Sequence, residues 1–258
     1  MNYPPLKITF LGTGTSSGVP MIACPCEVCA STDSHDKRLR SSILVESEKT
    51  TLVVDTTPDF RYQMLRTGVK KLDAVLYTHP HKDHIAGLDD IKAFNFFNKK
   101  AVDVFANELT QKALRNEFHY IFSEKKYPGI PEILLKKMPA EVFLVGDIPV
   151  IPFQVMHLHM PVMGFRFGDF TYITDANFID DLEKEKIKGS KILVLNALRH
   201  KKHISHFNVQ EAIELADELQ VPQTYFTHIS HQLGLDKMAN EQLPAGKLLA
   251  YDGQVINL

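Results

Sequence analysis

Four potential metal ligands fall within six consecutive positions of this chain: His79, His81, Asp83 and His84, in Thr78-His79-Pro80-His81-Lys82-Asp83-His84. They close Asp73–Thr78, a run whose Val, Leu, Tyr and Thr content reads as a strand. A loop just past a strand end can turn three imidazoles and a carboxylate toward one point, a donor set that suits zinc, manganese or iron. That spacing outweighs the alternative of solvated surface histidines. One loop cannot fill the shells of two metals, so the motif predicts partners at other strand ends. Candidates are present: His157 directly after Val150–Met156, Asp175 after Thr171–Thr174, and His228 after Gln223–Thr227. For an isolated histidine after a strand a structural role is the simpler reading, and His159 competes with His157 for the third position.

The fold must therefore gather several strand ends at one edge. Short β-branched runs at Leu6–Leu11, Ser42–Glu46 and Thr51–Asp55 precede the motif, and Val102–Phe105, Gly164–Phe167 and Ile192–Asn196 join the later ones named above. Helical periods occupy Phe60–Thr67 (closed by Gly68), Gly87–Phe97, Leu109–Glu117, Ile179–Lys186 and Val209–Leu219, the last with Asn208 as its N-cap. Adjacent strands are often only a few residues apart, which favours a four-layer αββα sandwich over a doubly wound parallel sheet. No Pro/Gly/Ser-rich linker divides the 258 residues, which predicts one domain over 1–258. Lys+Arg 29 against Asp+Glu 31 leaves a formal net charge of −2, without the positive field that drives nonspecific nucleic-acid binding. No apolar run approaches the roughly 18 residues that span a bilayer, and MNYPPLKITF has neither a basic nor an apolar leader region. The expectation is a cytoplasmic protein with no membrane partner and no support for nucleic acid.

As a series, these ligands resemble the metallo-β-lactamase superfamily over nearly the whole chain. The resemblance implies that His79, His81 and His157 bind one divalent ion and Asp83, His84 and His228 a second, with Asp175 bridging. His157-Leu158-His159-Met160-Pro161-Val162-Met163-Gly164 resembles the family's His-Gly-x-x-Pro-x-x-Gly, which places the ligand at His157. Two divalent ions less two aspartates leave a net positive centre suited to a hydroxide and an anionic substrate. Hydrolysis is its natural use, because paired metals stabilise both the attacking and the leaving oxygen.

Gly12-Thr13-Gly14-Thr15-Ser16-Ser17-Gly18 looks superficially like a dinucleotide fingerprint. Its spacing is Gly-x-Gly-x-x-x-Gly and Val19-Pro20 follows in place of a helix, so a tight turn near the metal edge is the better reading. Cys24, Cys26 and Cys29 are an odd, clustered set and a poor disulfide framework. Three thiolates lack one ligand of a closed zinc shell, and His231, three residues after His228, is the candidate fourth; three free thiols are the alternative.

GTGTSSGVP, the cysteine loop, Pro58-Asp59-Phe60-Arg61, the histidine motif with Gly87-Leu88-Asp89-Asp90, and Thr227-His228-Ile229-Ser230-His231 together resemble PhnP-type cyclic phosphodiesterases. That resemblance implies one structural zinc on Cys24, Cys26, Cys29 and His231. It also implies a catalytic His206, in His203-Ile204-Ser205-His206, protonating or stabilising the leaving oxygen while metal-activated water attacks phosphorus. Asp83 is counted with His206 as catalytic. Ile204 departs from the Pro that many relatives carry there. His203, Lys201, Lys202 and Arg61 are lesser candidates for anion contact, and His35, His119 and His200 are given no role. The expected function is hydrolysis of a small phosphodiester, cyclic forms such as a ribosyl 1,2-cyclic phosphate included. Two active-site zinc or manganese ions would serve it, in a chain that is a plausible homodimer. The rivals are a tRNA 3′-end endonuclease, which needs a basic, glycine-rich arm not seen here, a thioester or lactam hydrolase, and a non-enzymatic zinc module.

Overall fold

The computed structural model describes residues 3–125 and 127–258. Six strands build one side of a sandwich: β1 (Lys7–Gly12), β2 (Ser42–Glu46), β3 (Thr51–Val54), β4 (Ala74–Leu76), β5 (Val102–Ala106) and β6 (Ile133–Lys137). Seven build the other: β7 (Phe143–Val145), β8 (Ile148–His157), β9 (Met160–Phe167), β10 (Phe170–Tyr172), β11 (Ile192–Asn196), β12 (Gln223–Thr227) and β13 (Lys247–Leu249). The last strand, β14 (Val255–Asn257), returns to pair with β1, giving the orders β14-β1-β2-β3-β4-β5-β6 and β13-β12-β11-β10-β9-β8-β7. Both sheets repeat one pattern. Three antiparallel pairings lead to β3 in one and β10 in the other, and three parallel pairings follow.

Strand alternation explains the layers, because successive side chains face opposite sides of a sheet. Ile8, Phe10, Ile43, Val45, Leu52 and Val54 pack against Val150, Phe165, Phe167 and Tyr172 between the sheets. Their neighbours Leu11, Leu44, Val53 and Val75 face outward onto Phe60, Met64, Phe94 and Leu114. Across the molecule Phe153, Val155, Leu193 and Leu195 face Val209, Ala212, Leu215 and Ala216. The expected αββα sandwich is the observed fold.

Among the described residues eight helices cover it: α1 (Glu27–Ala30), α2 (Phe60–Thr67), α3 (Lys82–Ile85), α4 (Lys92–Asn98), α5 (Glu108–Glu117), α6 (Asp181–Ile187), α7 (Val209–Glu218) and α8 (Asp236–Gln242). Asn208 and Glu211 close a reciprocal capping box on α7, a contribution of about 1 kcal/mol. Gly68, at φ 70°, ends α2 with its N–H on the Leu65 and Met64 carbonyls. The expected helix Gly87–Phe97 is divided into a 3-10 turn, Leu88–Ile91, and α4. Gly87 sits so close to the start of α2 that a Cβ would lie 2.2 Å from the Thr57 carbonyl oxygen and 2.6 Å from Phe60 Cβ. Among the described residues no helix is long and apolar enough to cross a membrane.

Candidate active site

The sequence-predicted ligands converge beyond the strand ends of both sheets. Asp83, His84, Asp175 and His228 form one set of donors, His79, His81 and Asp175 a second, and His157, Asp175 and His206 a third; within each set the donors lie within 4.8 Å of one another. Asp175 is common to all three. Its Oδ1 is 3.0 Å from His228 Nδ1 and 3.4 Å from His84 Nε2, and its Oδ2 is 3.6 Å from His79 Nε2. The His157 ring stands 5.2 Å from that of His81 and 4.5 Å from that of His206, between centroids. His157 is the last residue of β8, one position earlier relative to the strand than expected, while His159 lies exposed in the following turn and joins none of the donor sets.

These donors fit metal ions. His84 Nε2, His228 Nδ1 and His206 Nδ1 are buried without a hydrogen-bond partner, although carboxylate oxygens lie 3.0–3.4 Å from the first two. Nitrogens and oxygens that approach this closely without aligning on one another are aimed at a shared point. One ring edge of His84, His228 and His157 is fixed from outside the cluster. His157 Nδ1–H donates to the Ser205 carbonyl at 2.6 Å, His84 Nδ1–H to Asp55 at 2.7 Å, and His228 Nε2 meets the Thr15 hydroxyl at 3.3 Å. Such outer contacts select the tautomer that leaves the inner nitrogen free for a cation.

Asp55, which the sequence reading used only as a strand end, proves to be the buried organiser of the cluster. It accepts the Thr78 backbone N–H at 2.8 Å and the Thr78 hydroxyl at 2.7 Å, besides His84. With its proton committed to Asp55, the Thr78 hydroxyl accepts from His79 Nδ1 at 2.9 Å. One carboxylate thus orients His84 directly and His79 through Thr78, a member of each of two donor sets. Asp55, Asp175 and His228 all hold positive φ, at 66°, 55° and 56°. Strained backbone of this kind persists where surrounding contacts over-determine it, as at functional sites.

Electrostatics divides the cluster into charged acids and neutral rings. Burial opposes ionisation of Asp175 and Asp83, but His228 and His84 outweigh it and hold both carboxyls well below the usual range. Burial, then His84, pushes His79 down; burial, then His157, does the same to His81; and burial, then His228, takes His206 to about 3. His84 is the exception: burial lowers it, yet Asp83, Asp175 and Asp55 together raise it. His84 aside, ionised carboxylates beside neutral imidazoles are the protonation state that divalent cations require.

A separate cluster joins the cysteine loop to the end of the site. Cys24 Sγ and Cys26 Sγ lie 3.4 and 3.2 Å from His231 Nδ1, and Cys29 completes the group. His231, then the Cys29 N–H, lowers the Cys26 thiol to about 6, whereas burial raises Cys29 to about 11. The glycine loop forms close backbone contacts: a Cβ on Gly12 would lie 2.0 Å from the Arg40 carbonyl oxygen, and Gly14 bridges to both Arg40 and Ile229. His203 lies beside His206, 5.1 Å between centroids. Arg61 is removed from the cluster and lines a cavity of about 580 Å³ with Phe60, Met64 and Asp90, while Asp59 pairs with Arg40. Lys202 faces Glu211 at 3.4 Å. His35 stacks on Tyr251.

The model of the beta-lactamase superfamily domain matches residues 50–229. A crystal structure of a diphosphatase from the PhnP family superposes with a TM-score of 0.90 at 42% identity, covering 97% of each chain. Zinc-bound PqqB from Methylobacterium extorquens superposes at 0.78 with 19% identity over 98% of this chain and 100% of that one, a likeness of fold. An octanoyltransferase of Porphyromonas gingivalis (strain ATCC BAA-308 / W83) is 37% identical over 251 residues, 96% of this chain. The chain spans about half of that curated relative, 51% of its length.

Proposed function

Because the chain belongs to the metallo-β-lactamase superfamily and is a PhnP-like hydrolase of that fold, we propose that it hydrolyses small phosphodiesters at a dinuclear metal centre. The observation that carries this reading is Asp175, a single carboxylate shared by the donor sets on either side of it. His79, His81 and His157 would hold one ion and Asp83, His84 and His228 the other. Bound there, zinc or manganese supplies Lewis acidity and brings the pKa of water toward 7. The chain's own residues do the rest. Asp55 holds the His84 imidazole and the Ser205 carbonyl that of His157 in register. His206, with a buried nitrogen free of partners, is placed beside His157 and His228 to hydrogen-bond or protonate the leaving oxygen. Cys24, Cys26, Cys29 and His231 would hold a structural zinc that ties the cysteine loop to the segment that carries His228 just past β12.

Bis(p-nitrophenyl) phosphate is the test substrate: turnover by zinc- or manganese-loaded protein is expected, and none with either metal overturns the reading. The 42%-identical diphosphatase favours a second reading, in which the broken bond is the anhydride of a substituted diphosphate. A panel pairing phosphodiesters with diphosphate esters separates the two. Acyl esters and thioesters in the same panel test the thioester-hydrolase rival.

A further inference from the structure

Two cavities meet beside the donor cluster. One, of about 540 Å³, opens on His81 and His157 and is walled by Leu109, Leu158, Met160 and Ile204. The second, of about 680 Å³, shares Leu109 and Pro161 with the first and continues over Met138, Pro152 and Met163. Carbon is left open to solvent along the way: Leu109 is 44% exposed, Leu158 46% and Ile204 75%. Charges on the rim are tied up in pairs, Lys137 with Glu108 at 2.6 Å and Lys186 with Glu183 at 3.0 Å. Of the lysines lining this groove only Lys112 has no ion pair among the described residues. A nucleic-acid backbone calls for a row of free cations, and a sugar arm would set its hydroxyls against carbon. An alkyl or aryl group would instead remove apolar surface from water on both sides.

We propose that one ester arm of the substrate is apolar, alkyl or aryl, and lies in this groove past Leu109 and Ile204, with its phosphorus end at His81 and His157. The inference rests on the phosphodiesterase reading and names the substrate class of that site. Ile204, 75% exposed on the groove wall, becomes a specificity-determining residue. Its backbone is held by the Asn177 side-chain amide, which donates to the Ile204 carbonyl at 3.2 Å, so the side chain can be exchanged without freeing the loop.

Calorimetric titration of the zinc-loaded full chain with methyl-, butyl- and hexylphosphonate reads the groove without relying on turnover. A fully buried methylene contributes up to about fourfold, so half-buried arms should tighten binding about twofold per carbon, roughly 30-fold from methyl to hexyl. Leu109→Ser combined with Ile204→Ser should flatten that series to within about threefold, whereas Val255→Ser, on edge strand β14, should keep its slope. Failure of all three phosphonates to bind, a Kd independent of chain length, or a slope that survives the double substitution overturns the inference. Bis(p-nitrophenyl) phosphate turnover on the same preparation keeps the two readings apart. Turnover with a flat series removes the groove alone; a steep series without turnover supports the apolar arm and removes the phosphodiesterase reading.

Discussion

Asp55 and Asp175 hold equivalent places in the two sheets and do different work. Each lies just beyond the strand where antiparallel pairing gives way to parallel, β3 in one sheet and β10 in the other. Each has positive φ, and each accepts a threonine hydroxyl, from Thr78 at 2.7 Å and from Thr174 at 2.6 Å. Both face His84, Asp55 at Nδ1 and Asp175 at Nε2. What differs is the company. The Asp55 oxygens are met by a backbone N–H, a hydroxyl and a ring N–H, and burial raises its carboxyl. Asp175 faces three rings that make no hydrogen bond to it; burial opposes its charge, but His228, His84 and His79 hold it ionised. The same strand-end geometry therefore yields a positioning group where donors saturate the carboxylate, and a carboxylate open to a cation where they do not.

The sharpest break of that contrast is Asp175→Ala. It should take phosphodiester turnover to background and release metal, measured together by assay and elemental analysis; protein retaining a full metal complement would show that Asp175 is not the shared ligand. Next in size is His206→Ala, on the second sheet's side only. Turnover should fall by about 10²–10⁴ with metal content intact, the signature of a group that acts on the leaving oxygen and not on the ions. Loss of metal would instead move His206 among the ligands, as its grouping with His157 and Asp175 allows. Asp55→Asn should cost less, about 10–100-fold in metal affinity or activity, and should weaken both ions because His84 and His79 both depend on Asp55. Thr78→Val refines this: only the His79 side should weaken. If Asp55→Asn strips metal as completely as Asp175→Ala, the two aspartates are not distinguished by their donors.

The two halves were also unequally legible. His79, His81, Asp83 and His84 sit within one loop, so their joint aim was readable from spacing alone. His157, Asp175, His206 and His228 come from separate segments, and only sheet pairing and the outward turn of each strand end bring them together; without a family resemblance each was an ordinary polar residue. Asp55 went unflagged because an aspartate after a β-branched run looks like any turn residue, and its partners are 23 and 29 positions away. Strands β6, β7, β13 and β14 escaped for another reason. They are three to five residues long, partly exposed, and carry little alternation, as in Ile133–Lys137 with its two lysines.

The smallest expected effect concerns the thiol cluster, which links the first half's cysteine loop to the second half's last ligand strand. Thr15 N–H donates to the Ile229 carbonyl at 3.0 Å and Ile229 N–H to the Thr13 carbonyl at 2.9 Å, between His228 and His231. This backbone ladder holds His228 independently of the cysteines. Cys26→Ser should therefore lose one metal equivalent and lower Tm by a few degrees, about 2–4 °C per kcal/mol for a chain of this size, while turnover changes less than about tenfold. The drop in Tm should vanish when wild type and variant are compared after chelation, since both then lack the metal. A fall in turnover as deep as that of Asp175→Ala would mean that the ladder alone cannot hold His228. The thiol cluster would then belong, with Asp55, to the groups that aim the ligands.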